Sequence, residues 1–215
     1  MTEFEHMGLA DSILRGLTDE GYVHPFPIQE KTIPSMLEGR EVIGQAKTGS
    51  GKTAAFALPI LHMINHEKSQ VQAIVLAPTR ELALQIADET ARLGKHTKVR
   101  VVTIYGGQSI NHQLNLLQRG PQIVVGTPGR VIDMLKRGWL DLSSVKYAVL
   151  DEADRMLDMG FIDDVEYILK KLPFIRQLSL FSATMPQQII DLSRRYMKEP
   201  VKIIMNGDEP SVDEL

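Results

Sequence analysis

Ala46-Lys47-Thr48-Gly49-Ser50-Gly51-Lys52-Thr53 lies between a short apolar run at 41–45 and a helical pattern over 53–65. A glycine-rich turn that opens a helix presents several backbone N–H groups, and the helix dipole adds partial positive charge. Lys52 is placed to reach β- and γ-phosphates, and the Thr53 hydroxyl to ligand Mg²⁺. The stretch therefore predicts a nucleoside-triphosphate site on a strand–loop–helix unit. Its first position is Ala46 where the general pattern has Gly, while Gly49 and Gly51 keep the turn.

Around this loop, short apolar runs alternate with amphipathic helices. The runs are 41–45, 73–77, 99–105, 122–125, 146–150 and 177–181, with one more at 201–205. Helical patterns cover 80–93, 108–118, 128–136, 159–171 and 187–197, and two precede the loop at 9–20 and 27–38. The alternation predicts an α/β fold: a mostly parallel central sheet with helices on both faces. The polar, acidic tail 206–215 reads as a frayed end or the start of a linker.

The 215 residues, 43% hydrophobic and 24% charged, suffice for a large domain without staples. Cysteine is absent, which excludes disulfides, thiolate metal sites and cysteine nucleophiles and fits a reducing, cytoplasmic setting. No apolar run is long enough to span a membrane. The six histidines show no metal-ligand spacing. A net charge of −3 leaves nucleic-acid binding to a local surface. The short basic cluster Lys95, His96, Lys98 and Arg100 reads as a solvated turn.

In a parallel sheet, ligands bind beyond the carboxyl ends of the strands, and the unusual residues of this chain gather there. After the successive runs come Ala46–Thr53, Pro78-Thr79-Arg80, Gly106-Gly107, Thr127-Pro128-Gly129-Arg130, Asp151-Glu152-Ala153-Asp154 and Ser182-Ala183-Thr184. Asp151 suits a Mg²⁺ held through water, and Glu152 suits orienting or deprotonating the water that attacks the phosphate; locally, Asp151 reads equally as a helix cap. Gln29 offers a donor and an acceptor matched to the edge of adenine, and Tyr22 a stacking face; the bland reading is a rigid turn with a buried aromatic. Thr79, Arg80, Thr127, Arg130 and the glycine backbones suit sugar-phosphate contacts. By themselves the threonines also read as caps and the arginines as solvated. Ser182 and Thr184 stand either as partners of Asp154 or as caps of the helix after Pro186.

Together these segments resemble the DEAD-box RNA helicases of helicase superfamily 2, over nearly the whole chain. Gln29 lies in a segment similar to the family's Q motif, with Phe4 in place of its isolated upstream aromatic. Ala46–Thr53 is similar to motif I, Pro78–Ala83 to Ia, Thr127–Arg130 to Ib, Asp151–Asp154 to II and Ser182–Thr184 to III, and Gly106-Gly107 to the glycine doublet. The resemblance implies a RecA-like P-loop domain and an ATP-dependent RNA helicase with ATP and Mg²⁺. It implies that Phe4, Tyr22 and Gln29 recognise adenine and that Ala46, Lys47, Thr48, Gly49, Ser50, Gly51, Lys52 and Thr53 cradle phosphate. Thr53 and Asp151 would hold the metal, and Lys52, Asp151 and Glu152 would be catalytic. Pro78, Thr79, Arg80, Gly107, Thr127, Pro128, Gly129 and Arg130 would line an RNA path without sequence preference. Asp154, Ser182 and Thr184 would couple ATP state to domain closure.

The implied division is a Q-motif segment over 1–30, the ATP-binding domain over 31–205, and the start of an interdomain linker over 206–215. No His-Arg-x-Gly-Arg-x-Gly-Arg segment occurs, so the expectation is that a second RecA-like domain carries the arginine finger and that these residues alone turn ATP over very slowly. Two rival readings are an ATP- and RNA-binding module without useful turnover, and a DNA translocase of the same superfamily. Gln29 and Asp154 argue against the translocase.

Overall fold

The computed structural model describes residues 3–206 and 209–213. A 3-10 helix (Glu3–Met7), α1 (Asp11–Asp19) and α2 (Pro27–Leu37) lead into the alternating body. That body runs β1 (Val42–Gln45), α3 (Lys52–Met63), β2 (Ala73–Leu76), α4 (Arg80–Leu93), β3 (Val101–Ile104), α5 (Ile110–Leu117) and β4 (Ile123–Gly126). It continues through α6 (Pro128–Lys136), β5 (Tyr147–Leu150), α7 (Ala153–Asp158), α8 (Ile162–Leu169), β6 (Gln177–Ser182), α9 (Gln187–Tyr196), β7 (Val201–Asn206) and β8 (Glu209–Asp213).

All seven expected strands form, and each pairs in parallel. The sheet order is β3-β4-β2-β5-β6-β1-β7-β8. Successive strand residues face opposite sides: Ala73 and Val75 join a core with the 3-10 helix and α1–α4, whereas Ile74 and Leu76 join a second core with α6–α9. Phe4, Ile13 and Leu17 are fully buried in the first core, so the N-terminal segment is part of the packed body.

Two elements differ from the sequence reading. The helix expected over 159–171 is shorter, α8 over Ile162–Leu169, and a separate α7 over Ala153–Asp158 precedes it; Gly160, at φ 75°, ends α7 in the left-handed conformation that glycine takes without steric cost. The tail read as the start of a linker pairs antiparallel with β7 over Glu209–Asp213, which covers an edge that would otherwise leave a row of backbone groups unpaired.

Candidate active site

The ladder runs one residue past several strands. Ala46 N–H donates to the Ser182 carbonyl at 3.0 Å, Ala77 to Gly126 at 3.0 Å, Thr127 to Ile104 at 3.0 Å and Asp151 to Leu76 at 3.0 Å. All six motif segments therefore share one rim. Strand order sorts them in a way chain order does not. The segments after β3, β4 and β2 occupy one half of the rim, and those after β5, β6 and β1 the other. At about 4.8 Å per strand, the rim from β3 to β1 spans about 24 Å.

The loop after β1 closes on itself. Lys52 is nearly buried and donates from Nζ to the carbonyls of Ala46 at 2.7 Å and Lys47 at 3.0 Å. Ser50 Oγ donates to the Lys47 carbonyl at 2.8 Å. Gly51 has φ 83°, and a Cβ there would stand 2.5 Å from Gln29 Nε2 and 2.8 Å from the Phe26 ring, so only glycine fits. Gln29, fully buried, clamps this point: its Oε1 accepts the Phe26 N–H at 2.9 Å, and its Nε2 donates to the Gly51 carbonyl at 3.0 Å. One amide N–H of Gln29 remains for another acceptor.

Tyr22 reaches instead toward α4 and the 3-10 helix. Its hydroxyl donates to Glu89 Oε1 at 3.0 Å, and Phe4 meets its ring edge-on at 6.3 Å. Burial and the Glu89 carboxylate raise the phenol above its usual range. Phe4 has no exposed surface, so it backs Tyr22 from within the core. Glu89, half-buried on α4, was missed from sequence; the signal was an acid beside the buried Ile86 and Thr90.

Across β6, Asp151 is 2% exposed. Burial pushes its carboxyl up to about 6, against the pull of Lys52 and with the push of Glu152. Glu152 takes φ 51°, a left-handed conformation uncommon for a non-glycine residue. It is the N-cap residue of α7 and accepts an ion pair from Arg155 Nη1 at 2.8 Å. Asp151 therefore does not cap α7: Glu152 holds the N-cap position without a side-chain capping bond, and Asp151 Oδ1 accepts the Glu152 N–H at 2.9 Å.

Asp154, Ser182 and Thr184 come together. Asp154 Oδ2 accepts the Thr184 N–H at 2.9 Å and hydroxyl at 2.8 Å, and the Asp154 N–H donates to Ser182 Oγ at 3.1 Å. Desolvation opposes its charge, but the hydrogen bonds from Thr184, Ser182 and the Arg155 N–H outweigh it and hold the carboxyl below its usual range.

On the other half of the rim the two threonines separate. Thr79 caps α4, accepting the Leu82 N–H at 3.2 Å, whereas Thr127 at the start of α6 makes no such bond. Arg80 stacks on the Tyr105 ring at 5.1 Å. Arg130 donates to the Gln108 carbonyl and to Gln113 Oε1, both at 3.3 Å. Gln113 is fully buried and bonds both backbone groups of Tyr105. It too was missed, although a glutamine three residues from Ile110 on the inward face of α5 was a usable signal. Space beside Gly107 and Gly129 is open, and Pro78 and Pro128 are buried.

The DEAD/DEAH box helicase family model matches residues 26–192. The chain belongs to that family. It is 50% identical over 97% of its length to the DEAD-box ATP-dependent RNA helicase CshA of Bacillus cereus, and 56% identical over 94% to the ATP-dependent RNA helicase DeaD of Klebsiella pneumoniae. It spans 40% and 32% of those two proteins. Among solved structures, a DEAD box protein from the hyperthermophile Methanococcus jannaschii superposes with a TM-score of 0.89 at 44% identity, covering 94% of this chain and 55% of that one. This DEAD-box chain thus shares the RecA-like fold of that structure. Among the described residues, no cluster of three or more His, Cys, Asp or Glu forms a metal cage, and no helix is long and apolar enough to cross a membrane.

Proposed function

We propose that this chain is the ATP-binding half of an ATP-dependent RNA helicase. The observation that carries the reading is the rim itself. β6 lies between β1 and β5, so the Lys52 loop and Asp151-Glu152 face each other across Ser182, with Thr127 and Arg130 farther along. Residues 31–205 form the ATP-binding domain, residues 1–30 the adenine-recognising segment, and residues 206–215 lead toward a second RecA-like domain. The share of the relatives' length that the chain spans leaves room for one. A cysteine-free sequence suits a cytoplasmic setting.

Tyr22 presents a ring to adenine, and the remaining Gln29 N–H bonds its edge, with Phe4 supporting Tyr22 from behind. Residues Ala46–Thr53 cradle the phosphates once Lys52 leaves its two carbonyls. The Thr53 hydroxyl and the Asp151 carboxylate fit a hydrated Mg²⁺, a hard cation that keeps several waters and shares phosphate oxygens. That ion would neutralise charge on the transferring phosphate. Glu152 orients the attacking water and takes its proton. Pro78, Thr79, Arg80, Gly107, Thr127, Pro128, Gly129 and Arg130 follow the RNA backbone, which carries no sequence information. Asp154, with Ser182 and Thr184, transmits the nucleotide state to domain closure.

The test is ATP turnover by the protein with its second domain, with and without RNA. RNA is expected to raise turnover more than tenfold. Asp154→Asn is expected to keep basal turnover but lose most of the stimulation, since one accepting oxygen for Thr184 disappears. Equal stimulation by DNA would favour a translocase, and binding without turnover a binding module.

Gln29→Ala separates base recognition from packing. It leaves the Phe26 N–H without its partner and is expected to cost about 1–3 kcal/mol of stability by thermal melt. ATP affinity should fall at least about tenfold, as expected for a lost site hydrogen bond plus a loosened loop, and preference over GTP should vanish. Retained preference would remove Gln29 from adenine recognition.

A further inference from the structure

Many surface cations of this chain stand against a carboxylate. Lys95 and His96 share Asp19, Lys98 meets Glu67, Arg92 meets Glu20 and Arg195 meets Glu166. The basic cluster read from the sequence is largely neutralised in this way. Three cations at the opposite rim of the sheet are not. Lys68, Lys146 and Arg176 form no ion pair among the described residues.

The ladder itself brings them together. The Lys146 N–H donates to the Gln72 carbonyl at 2.9 Å, and the Arg176 N–H to the Lys146 carbonyl at 2.8 Å. Lys146 and Arg176 immediately precede β5 and β6, so they stand about one strand spacing, roughly 5 Å, apart. Like charges so placed on neighbouring strands repel. Lys68 comes from the turn before β2, which Gln72 holds by bonds to the Asn65 and Lys68 carbonyls and the Asn65 N–H.

The three cations line one open cavity of about 520 Å³ with Ser143, Ser144 and the ring of Phe174. No carboxylate lines it. Phe174 is 69% exposed, more than any other large hydrophobic side chain described. Gln70 and Ser144, bonded to each other at 3.3 Å, stand between it and a smaller cavity of about 190 Å³ that Trp139 and the Asp141 carboxylate line.

We propose that this rim is a second nucleic-acid site, binding single-stranded RNA. Lys68, Lys146 and Arg176 take phosphates, and Phe174 stacks a base. Charge complementarity selects a polyanion. An exposed ring beside the cations selects an unpaired base over an acidic peptide, because every base offers a face for stacking. The site lies at the amino ends of the strands, about 13–20 Å from the ATP rim by strand length, so binding there needs no ATP. It is also independent of the track at Arg80 and Arg130.

Anisotropy of a labelled single strand of about eight nucleotides, without ATP, tests this in an Arg80→Ala/Arg130→Ala background. RNA binding should persist there. Adding Lys146→Glu/Arg176→Glu should weaken it at least about tenfold and reduce the salt slope by about 1.4, for two lost phosphate contacts. Phe174→Ala should weaken it about fivefold or more. Loss of all binding in the background protein, or an unchanged affinity and slope after charge reversal, would overturn the proposal. So would an acidic oligopeptide that binds as tightly as RNA and ignores Phe174→Ala, a result pointing to a protein partner. If charge reversal lowers the melting temperature sharply, Lys146→Gln/Arg176→Gln gives the same comparison. If instead Arg80→Ala/Arg130→Ala changes nothing in the ATP-bound protein, the strand-end track fails and this site stands.

Discussion

Glu152→Gln in the protein with its second domain is expected to lower RNA-stimulated ATP turnover by about 10²–10⁴-fold, the usual contribution of a positioned general base. ATP affinity should stay within about twofold, because the substitution keeps size and polarity and removes only the proton acceptor. The geometry sharpens this expectation. The left-handed φ of 51° at Glu152 turns the chain between β5 and α7, and Arg155 holds the carboxylate at 2.8 Å. A side chain needed only to hold Arg155 would survive as Gln, whose oxygen can still accept from it. Single-turnover hydrolysis within about threefold of the parent would therefore assign Glu152 to structure and leave the base elsewhere.

Asp151→Asn should move stability and ligand binding in opposite directions. The carboxyl is pushed up to about 6 by burial, whereas in the unfolded chain it titrates near about 3.9. A raised carboxyl favours the protonated, folded form at low pH. The cost of ionising it in place grows as pH rises from about 4 to about 6 and is constant above. Asparagine removes that cost, so the variant should be more stable by about 1–3 kcal/mol at pH 8, converging with the parent near pH 4. Mg²⁺-dependent ATP affinity should meanwhile fall by about tenfold or more, since a neutral amide is a poor ligand for a hard cation. Thermal melts across pH, paired with titrations in Mg²⁺ and in EDTA, read both effects. An equal loss of ATP affinity in EDTA would remove Asp151 from the metal shell.

Strand positions were legible because each strand is a short, doubly buried apolar run, and motif convergence followed from their being parallel. Strand order was not legible. Nothing local to Ala73–Leu76 says that it pairs with both β4 and β5, yet this pairing divides the rim into two halves. Helix α7 is not legible because carboxylates dominate 151–154, and Gly160, which ends it, lies inside the helical pattern over 159–171. The Gln29 amide was read as turned toward a ligand. Folding commits its oxygen and one N–H to Phe26 and Gly51, long-range choices that no local pattern encodes. Glu89 and Gln113 are hidden for the opposite reason: a lone polar side chain beside an inward helix face is a weak signal until its partner appears across the fold.

The lysine that rests on its own loop carbonyls sets a threshold for entry. In the empty loop Lys52 already has two acceptors, at 2.7 and 3.0 Å. A visiting anion must therefore offer more than those carbonyls do. Those bonds already carry the charge of the ammonium, so the gain must come from charge on the acceptor; a chain of phosphates would offer several charged oxygens at once, a single phosphate fewer. On the proposed ATP-binding reading, the loop would discriminate by valence before base. Orthophosphate and nucleoside monophosphates would then compete poorly for a lysine that the loop's own carbonyls already hold.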